Sequence, residues 1–386
     1  MAKSNAKAMK AKPSFISKAV EALKNPYASV ASNGVIYDPK KWFDLGCYVL
    51  NAQISGSIYR GIPDNMSIML AGETGVGKTF LTLGALASIQ KQEKDAEAII
   101  FESEGAIKTA TLISHGCDLP RTAMVPVLTI EDFTNQVVTT MQTYEATPEK
   151  DRPQLVFALD SLGLLPPAKE AKDVNEGKNA SDMGLAAKAI KRAFRNIRLR
   201  VGGLGRIPFI ITLHIYAKQG TYVPMNDIAG GQGPKYAGDT ILLITKSQVK
   251  EGEDGYDKGG TRVKCVAWKS RDTRQRTAIE FVIDFAKGVT KYSGLFEFCE
   301  KHKLIEKVGN RYRFGEGEPK FRKEIYSNPE GFFTKEVLDQ IDVFCGKYFN
   351  YGESLIDIPL EDLGIDENTA AALAEAEAAL SADGDE

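Results

Sequence analysis

The stretch Gly72-Glu-Thr-Gly-Val-Gly-Lys-Thr79 decides the fold of this chain. It follows the apolar run Ser67-Ile-Met-Leu-Ala71 and leads into Phe80-Leu-Thr-Leu-Gly-Ala-Leu-Ala-Ser88. That order is strand, glycine loop, helix, the context in which a loop of this composition cradles phosphates. Gly72, Gly75 and Gly77 free the backbone to turn, so that the N–H groups of Glu73, Thr74, Gly75, Val76 and Gly77 can face an anion. Lys78 then reaches the β- and γ-phosphates of a nucleoside triphosphate, and the Thr79 hydroxyl holds Mg2+. The positive end of the helix dipole adds to the attraction. At average residue usage, the four fixed positions recur by chance about once in a hundred chains of this length.

From about Trp42 to Phe285, short apolar runs alternate with helical stretches. The runs are Ser67–Ala71, Ala98–Phe101, Met124–Val127, Leu155–Leu159, Pro208–Leu213 and Thr240–Thr245. Continuous rather than alternating hydrophobicity predicts strands buried on both faces, hence an α/β fold with a mainly parallel sheet covered by helices. Arg262–Trp268 and Ala278–Asp284 alternate more and read as antiparallel strands extending one edge.

Ahead of this core, Ile16, Ala19, Val20 and Leu23 fall at helical spacing in 14–24, and Asn25-Pro26 stops that helix. Beyond Tyr292 the composition shifts to a small α/β domain, 293–350, with helices over 298–305 and 333–344. The expected organisation is thus a basic segment and arm over 1–40, a core over 41–292, the small domain, and an acidic tail over 351–386.

The carboxyl edge of the sheet is where chemistry is expected. Asp160 ends the run Leu155–Leu159, and a carboxylate there, beside the strand of the glycine loop, suits holding Mg2+ through water. It equally suits a turn cap. Phe101-Glu-Ser-Glu104 ends another strand, and hydrolysis needs a carboxylate to orient the attacking water. Glu102 and Glu104 share a face if the strand continues through both and separate if it ends between them, so spacing does not choose. His214, just past Phe209–Leu213, becomes a sensor candidate by its place at that edge.

Over 181–200 a predicted helix carries cations at 188, 191, 192, 195, 198 and 200, with Lys188, Lys191 or Arg192, and Arg195 on one face. Two irregular segments, 166–180 and 216–233, offer long loops nearby. A basic helix with such loops suggests a groove that follows a nucleic-acid backbone.

Bulk properties fit an ordinary globular protein: 386 residues, 43% hydrophobic, 26% charged. Five separated cysteines suggest buried free thiols in a reducing compartment. No signal peptide and no long apolar run is seen, which predicts a cytoplasmic protein. Charge is uneven. Residues 1–25 hold six lysines against Glu21, whereas 353–386 hold eleven acids and no lysine or arginine.

Four stretches make the chain recognisable: Gly72–Thr79, Leu155–Ser161, Ser181-Asp-Met-Gly-Leu-Ala-Ala-Lys188, and Gly230-Gly-Gln-Gly-Pro-Lys-Tyr236. Over about residues 40–350 it resembles the RecA family, and more closely its phage members of the UvsX type. The resemblance implies a RecA-like ATPase core using ATP and Mg2+. It also implies an ATP-dependent recombinase that forms helical filaments on single-stranded DNA and exchanges strands with a duplex, in the host cytoplasm if phage-encoded. Single-strand-binding and mediator proteins are then expected partners. A hexameric replicative helicase with the same core fold is the alternative, and a filament or loading protein that binds nucleotide without turnover is a third reading.

On the family pattern Glu104 is the catalytic glutamate and His214 the γ-phosphate sensor. Lys269 and Arg271 reach the neighbouring subunit's ATP. Residues 166–183 and 216–231 are the two DNA-binding loops. Met183 wedges between bases, Lys188 and Arg195 contact phosphates, and Lys218, Tyr222, Gly230 and Gly231 belong to the second loop's DNA contacts, with Tyr222 or Val223 as its wedge. The segment 14–37 becomes a polymerisation arm. The family's adenine-packing tyrosine is not matched; Thr111 lies near its place.

The acidic tail generates a direct expectation. Deleting 353–386 should strengthen duplex-DNA binding, because its carboxylates compete with phosphates for cations. Fluorescence anisotropy across a salt series checks this, and unchanged affinity would show the tail inert.

Overall fold

The computed structural model describes residues 14–351, except 26–27, 36, 179–183, 218–225, 229–231, 250–258 and 286. The chain divides after Lys40 into two units. In the first, α1 (Phe15–Ala22) forms where helical spacing predicts it, with the Ser14 hydroxyl accepting from the Ser17 N–H at 3.2 Å as its N-cap. Phe15 and Ile16 are exposed on it.

The second unit opens with β1 (Trp42–Phe43), α2 (Tyr48–Ser55) and β2 (Ile62–Pro63), and then enters the central sheet. The sheet is built from β3 (Ser67–Gly72), β4 (Glu97–Glu102), β5 (Thr122–Pro126), β6 (Leu155–Asp160), β7 (Phe209–Ala217), β8 (Asn226–Ile228), β9 (Thr240–Val249), β10 (Gly260–Lys269) and β11 (Ala278–Asp284). Between these run the helices α3 (Lys78–Gln92), α4 (Thr109–Ser114), α5 (Ile130–Ala146), α6 (Ala168–Asn175), α7 (Leu185–Arg198) and α8 (Gln232–Ala237). The spatial order is β11-β10-β9-β3-β7-β6-β4-β5, with β8 folding back on β7. From β9 to β5 the strands are parallel; β10 and β11 extend the edge antiparallel.

The continuous apolar runs arise because both faces are covered. In β3, Ile68 and Leu70 join one core cluster while Met69 and Ala71 join the other. In β6, Val156 and Ala158 face the first, and Leu155, Phe157 and Leu159 the second. The first face carries α2 and α3, and the second α5 and α7. Phe157 lies edge-on to Phe101 and Phe209 at centroid distances of 5.5 and 5.9 Å. All five cysteines are buried free thiols.

The chain ends its described part with α9 (Leu295–Lys301), β12 (Glu306–Val308), β13 (Arg311–Arg313), β14 (Lys320–Phe321), α10 (Arg322–Ser327) and α11 (Lys335–Phe349). These elements build on the first core cluster through Leu295, Phe296, Ile341 and Phe349. Asp342 on α11 accepts from the Ser57 hydroxyl at 2.7 Å and the Ile58 N–H at 2.8 Å.

Four readings change. The strand ending at Asp160 is not beside β3, because β7 lies between them. Neither of the segments 166–180 and 216–233 is wholly irregular: α6 forms over 168–175, begun by the good helix formers Ala-Lys-Glu-Ala-Lys between flanking prolines and a glycine, and 216–233 holds the end of β7, all of β8 and the start of α8. The helix expected over 181–200 is seen from Leu185 to Arg198 and then widens to a π-helical turn over Leu199–Leu204, where Gly202 and Gly203 weaken the α-helical ladder. His214 lies within β7 rather than after it, since pairing with β8 prolongs the strand to Ala217.

The two-sided burial gives a stability expectation. Phe157→Ala should cost about 3–5 kcal/mol, the range for a fully buried phenylalanine, and Phe157→Leu clearly less, both read from denaturant unfolding.

Candidate active site

The loop 72–79 joins β3 to α3 at the carboxyl edge of the parallel strands. Its three glycines are required by geometry, Gly75 by a φ of +74°. Gly77 sits at φ +98°, and a Cβ on Gly72 would lie 2.7 Å from the Ile244 carbonyl oxygen. Val76 is buried and anchors the turn, while Glu73, Thr74 and Gly75 are exposed above it. Lys78 is buried, and its ammonium donates to the carbonyl oxygens of Gly72 and Glu73, each at 2.8 Å. Burial lowers its pKa, and the charges of Asp160 and Glu104 oppose that shift.

Strand parity assembles the polar groups. Ile100, Ala158, Ile210 and Leu242 face the α3 side of the sheet. Their i+2 neighbours, Glu102, Asp160, Thr212 and Ile244, therefore lie on that side too, and so do His214 and Lys246 a further two residues on. The Thr79 hydroxyl donates to Asp160 at 2.6 Å. Thr212, on the intervening strand, donates to the other oxygen of the same carboxylate. Burial raises the Asp160 pKa, and these two hydrogen bonds work against it. The donor set, one hydroxyl and one carboxylate, suits a hard divalent cation completed by phosphate oxygens and water. Among the described residues no cluster of three or more His, Cys, Asp or Glu side chains is poised for a metal.

The strand β4 ends at Glu102, so the two glutamates separate. The buried Glu102 carboxylate accepts from the backbone N–H groups of Glu104, Gly105 and Ala106 at 3.2, 2.7 and 2.9 Å. It is committed to holding that turn. Glu104 projects from the turn and meets His214 Nε2 at 2.9 Å. Burial pushes its carboxyl up, but the hydrogen bond with His214 and the nearby charges of His214 and Lys78 work against it, and the net position is below the ordinary value. The Asp160–Ser161 peptide is cis.

Lys269 and Arg271 lie elsewhere. Lys269 pairs with Ile241, which pairs with Met69, three residues before Gly72. They therefore sit toward the amino edge of the parallel strands, about 10 Å along β3 from the start of the loop. The Lys269 ammonium donates to the Lys235 and Gly238 carbonyl oxygens at 2.7 and 2.8 Å, and burial, with Arg271 nearby, lowers its pKa to about 8. Arg271 is half-exposed and pairs with Asp239 at 3.1 Å. Arg198 shares that carboxylate.

On α7, Ile190, Ala193, Phe194 and Ile197 face the core, which leaves Lys188 and Arg195 exposed on the outer face. Met183, Lys218, Tyr222, Val223, Gly230 and Gly231 lie outside the described residues. Three contributors escaped the sequence reading: Glu102 as the holder of the turn, Thr212, and Lys246, whose ammonium donates to the Gly75 carbonyl at 2.9 Å. Lys246 carried one signal, its place just past an apolar run, and only the pairing of β9 with β3 gives that signal meaning.

Removing the Glu102 acceptor should be costly. Glu102→Ala strands three N–H donors and is expected to lose about 1.5–3 kcal/mol, while Glu102→Gln, which keeps an acceptor oxygen, recovers part; thermal and denaturant unfolding read the difference.

No protein-family model matches the chain. It is 30% identical over 262 residues to the recombination and repair protein of Enterobacteria phage T4, a match covering 68% of this chain and 64% of the phage protein. It is 26% identical over 299 residues to protein RecA of Synechococcus elongatus, covering 75% of this chain and 78% of that one. It is 24% identical over 294 residues to the chloroplastic DNA repair protein recA homolog 1 of Arabidopsis thaliana, covering 74% and 63%. The chain spans somewhat less than two thirds of the phage protein's length. This homology to RecA-type recombinases, at 24–30% identity over most of the chain, joins a mainly parallel, helix-covered sheet of the kind a RecA-like ATPase core has, and supports membership of the RecA superfamily.

Proposed function

We propose that this protein is an ATP-dependent recombinase whose subunits polymerise on single-stranded DNA and exchange strands with a homologous duplex. The observation that carries the reading is the separation of two charged sites on one chain. The loop lysine and the edge carboxylates gather at the carboxyl edge of the parallel strands, whereas Lys269 and Arg271 lie toward the amino edge. A chain folded this way does not bring that second pair to its own loop, but a neighbour stacked head to tail does.

In this reading the loop N–H groups and Lys78 hold the phosphates of ATP, and Thr79 and Asp160 hold Mg2+. When bound, Mg2+ and the triphosphate supply an electrophilic phosphorus and neutralise charge on its oxygens. Glu104, ionised at neutral pH, orients the attacking water and accepts its proton. His214, in contact with Glu104 and at the root of the second loop, links the two. Lys269 and Arg271 act on the neighbour's phosphates in trans. The exposed cations of α7, Lys188 and Arg195, with the loops 166–183 and 216–231, follow the DNA backbone, and Met183, Lys218, Tyr222, Gly230 and Gly231 complete those contacts.

The segment 14–37 serves as the polymerisation arm, 41–292 as the ATPase core, 293–350 as the small domain and 351–386 as the acidic tail. Among the described residues no helix is long and apolar enough to cross a membrane, and the expected site of action is the cytoplasm, the host's if the protein is phage-encoded.

Electron microscopy with single-stranded DNA and a non-hydrolysable ATP analogue should give helical filaments; closed rings with homology-independent unwinding would favour the helicase instead. Failure of both D-loop formation and DNA-stimulated hydrolysis would end the recombinase reading. Arg271→Ala should abolish filament hydrolysis and spare nucleotide binding by the monomer. Lys269→Ala should do the same. Normal hydrolysis in either variant removes the trans role.

A further inference from the structure

Lys246 enters the loop from a direction that no part of the glycine motif supplies. It stands on β9, which runs parallel to β3 with Ile244 opposite Gly72. Side chains two apart on a strand share a face. Ile244 is buried beneath the start of the loop, so Lys246 emerges beyond it, over Gly75. Its Nζ is 2.9 Å from the Gly75 carbonyl oxygen, and a Cβ on Gly75 would lie only 3.2 Å from that ammonium. Gly75 belongs to the exposed crest of the loop, with φ at +74°. Lys78 approaches the same loop from α3 and holds the Gly72 and Glu73 carbonyl oxygens. Two ammonium groups therefore bracket one glycine turn.

An ammonium has three donors, and Lys246 gives one to Gly75. Among the described residues it makes no ion pair with a carboxylate. Two like charges converging on a small exposed turn repel each other, and the Lys246 charge lowers the pKa of Lys78. An arrangement that gathers cations against their mutual repulsion fits a ligand with several negative charges.

We infer that Lys246 is a second phosphate-binding cation of this site, which contacts the polyphosphate of the nucleotide from β9 while Lys78 contacts it from α3. This rests on the nucleotide-binding reading above. It adds a residue whose effect depends on the ligand's charge, because an ammonium on the exposed crest attracts a triphosphate more than a monophosphate and does nothing for an uncharged nucleoside.

The test uses the full-length protein with Mg2+ and measures the affinities of ATP, ADP, AMP and adenosine by calorimetry. Lys246→Ala and Lys246→Gln are both expected to weaken ATP binding about tenfold, the size of one charge-assisted hydrogen bond. The loss should shrink from ATP to AMP, vanish for adenosine, and diminish at high salt. Lys246→Arg should stay close to the parent. Glutamine can still donate to Gly75, so parent-like ATP binding by Lys246→Gln would mean that Lys246 only props the loop, and would overturn the inference. Equal losses for all four ligands would overturn it too. Unchanged thermal unfolding of each variant without nucleotide is the folding control. If the parent protein binds ATP and only this charge dependence is missing, the inference alone fails; if the parent binds none of the phosphorylated ligands, the nucleotide-binding reading fails.

Discussion

The close flanking of the end of β3, at Gly72, by β7 and β9 is the constraint on which the rest of this molecule depends. β7 and β9 flank β3 in parallel, and His214 and Ile244 stand level with Gly72 on either side. The Ile244 carbonyl comes so near that a side chain at position 72 would collide with it. With the strands locked at this level, their carboxyl ends open onto one shelf. The glycine turn, the start of α3 and the polar residues of β4, β6, β7 and β9 then meet there without any long-range adjustment. Burial on both faces keeps the register, since a slip by one residue would send every side chain to the opposite core.

On that shelf, burial and charge work against each other in a useful way. Burial drives both Lys78 and Asp160 toward their neutral forms; the charges of Asp160 and Glu104 work against this at Lys78, and the hydrogen bonds from Thr212 and Thr79 work against it at Asp160. Such a pair is poised for a ligand that brings both anionic oxygens and a cation, because each newcomer relieves one of the buried charges. Glu102 and Glu104 divide their labour on the same principle. The buried one is spent on three backbone N–H groups, and the one left facing His214 is free to serve a reacting group.

The second charged site is organised around Asp239, which accepts from the Ser67 N–H and hydroxyl and pairs with Arg198 and Arg271. Lys269 beside it is tied to the Lys235 carbonyl oxygen within α8 and to the Gly238 carbonyl oxygen just after it. A subunit with one such site toward each edge of its sheet presents different charged groups at its two edges.

The amino-acid sequence by itself determined the layered α/β fold and the loop. Uninterrupted apolar runs have no soluble solution except burial on both faces, and glycines before Lys78-Thr79 between a strand and a helix leave few alternatives. It also brought Asp160, Glu104 and His214 toward the carboxyl edge, because residues at or just past the carboxyl end of an apolar run in a parallel sheet lie on that side. It did not give the order of the strands. Strand order depends on crossovers whose lengths are compatible with several arrangements, so β7 between β3 and β6 was not legible, nor was Thr212 as the bridge to Asp160. The helix α6 was masked by the prolines around it. Lys246 shows the limit most clearly. On the page of sequence it is one lysine after an apolar run; only the parallel pairing of β9 with β3, a contact between residues about 170 apart in the chain, sets its ammonium on the glycine turn.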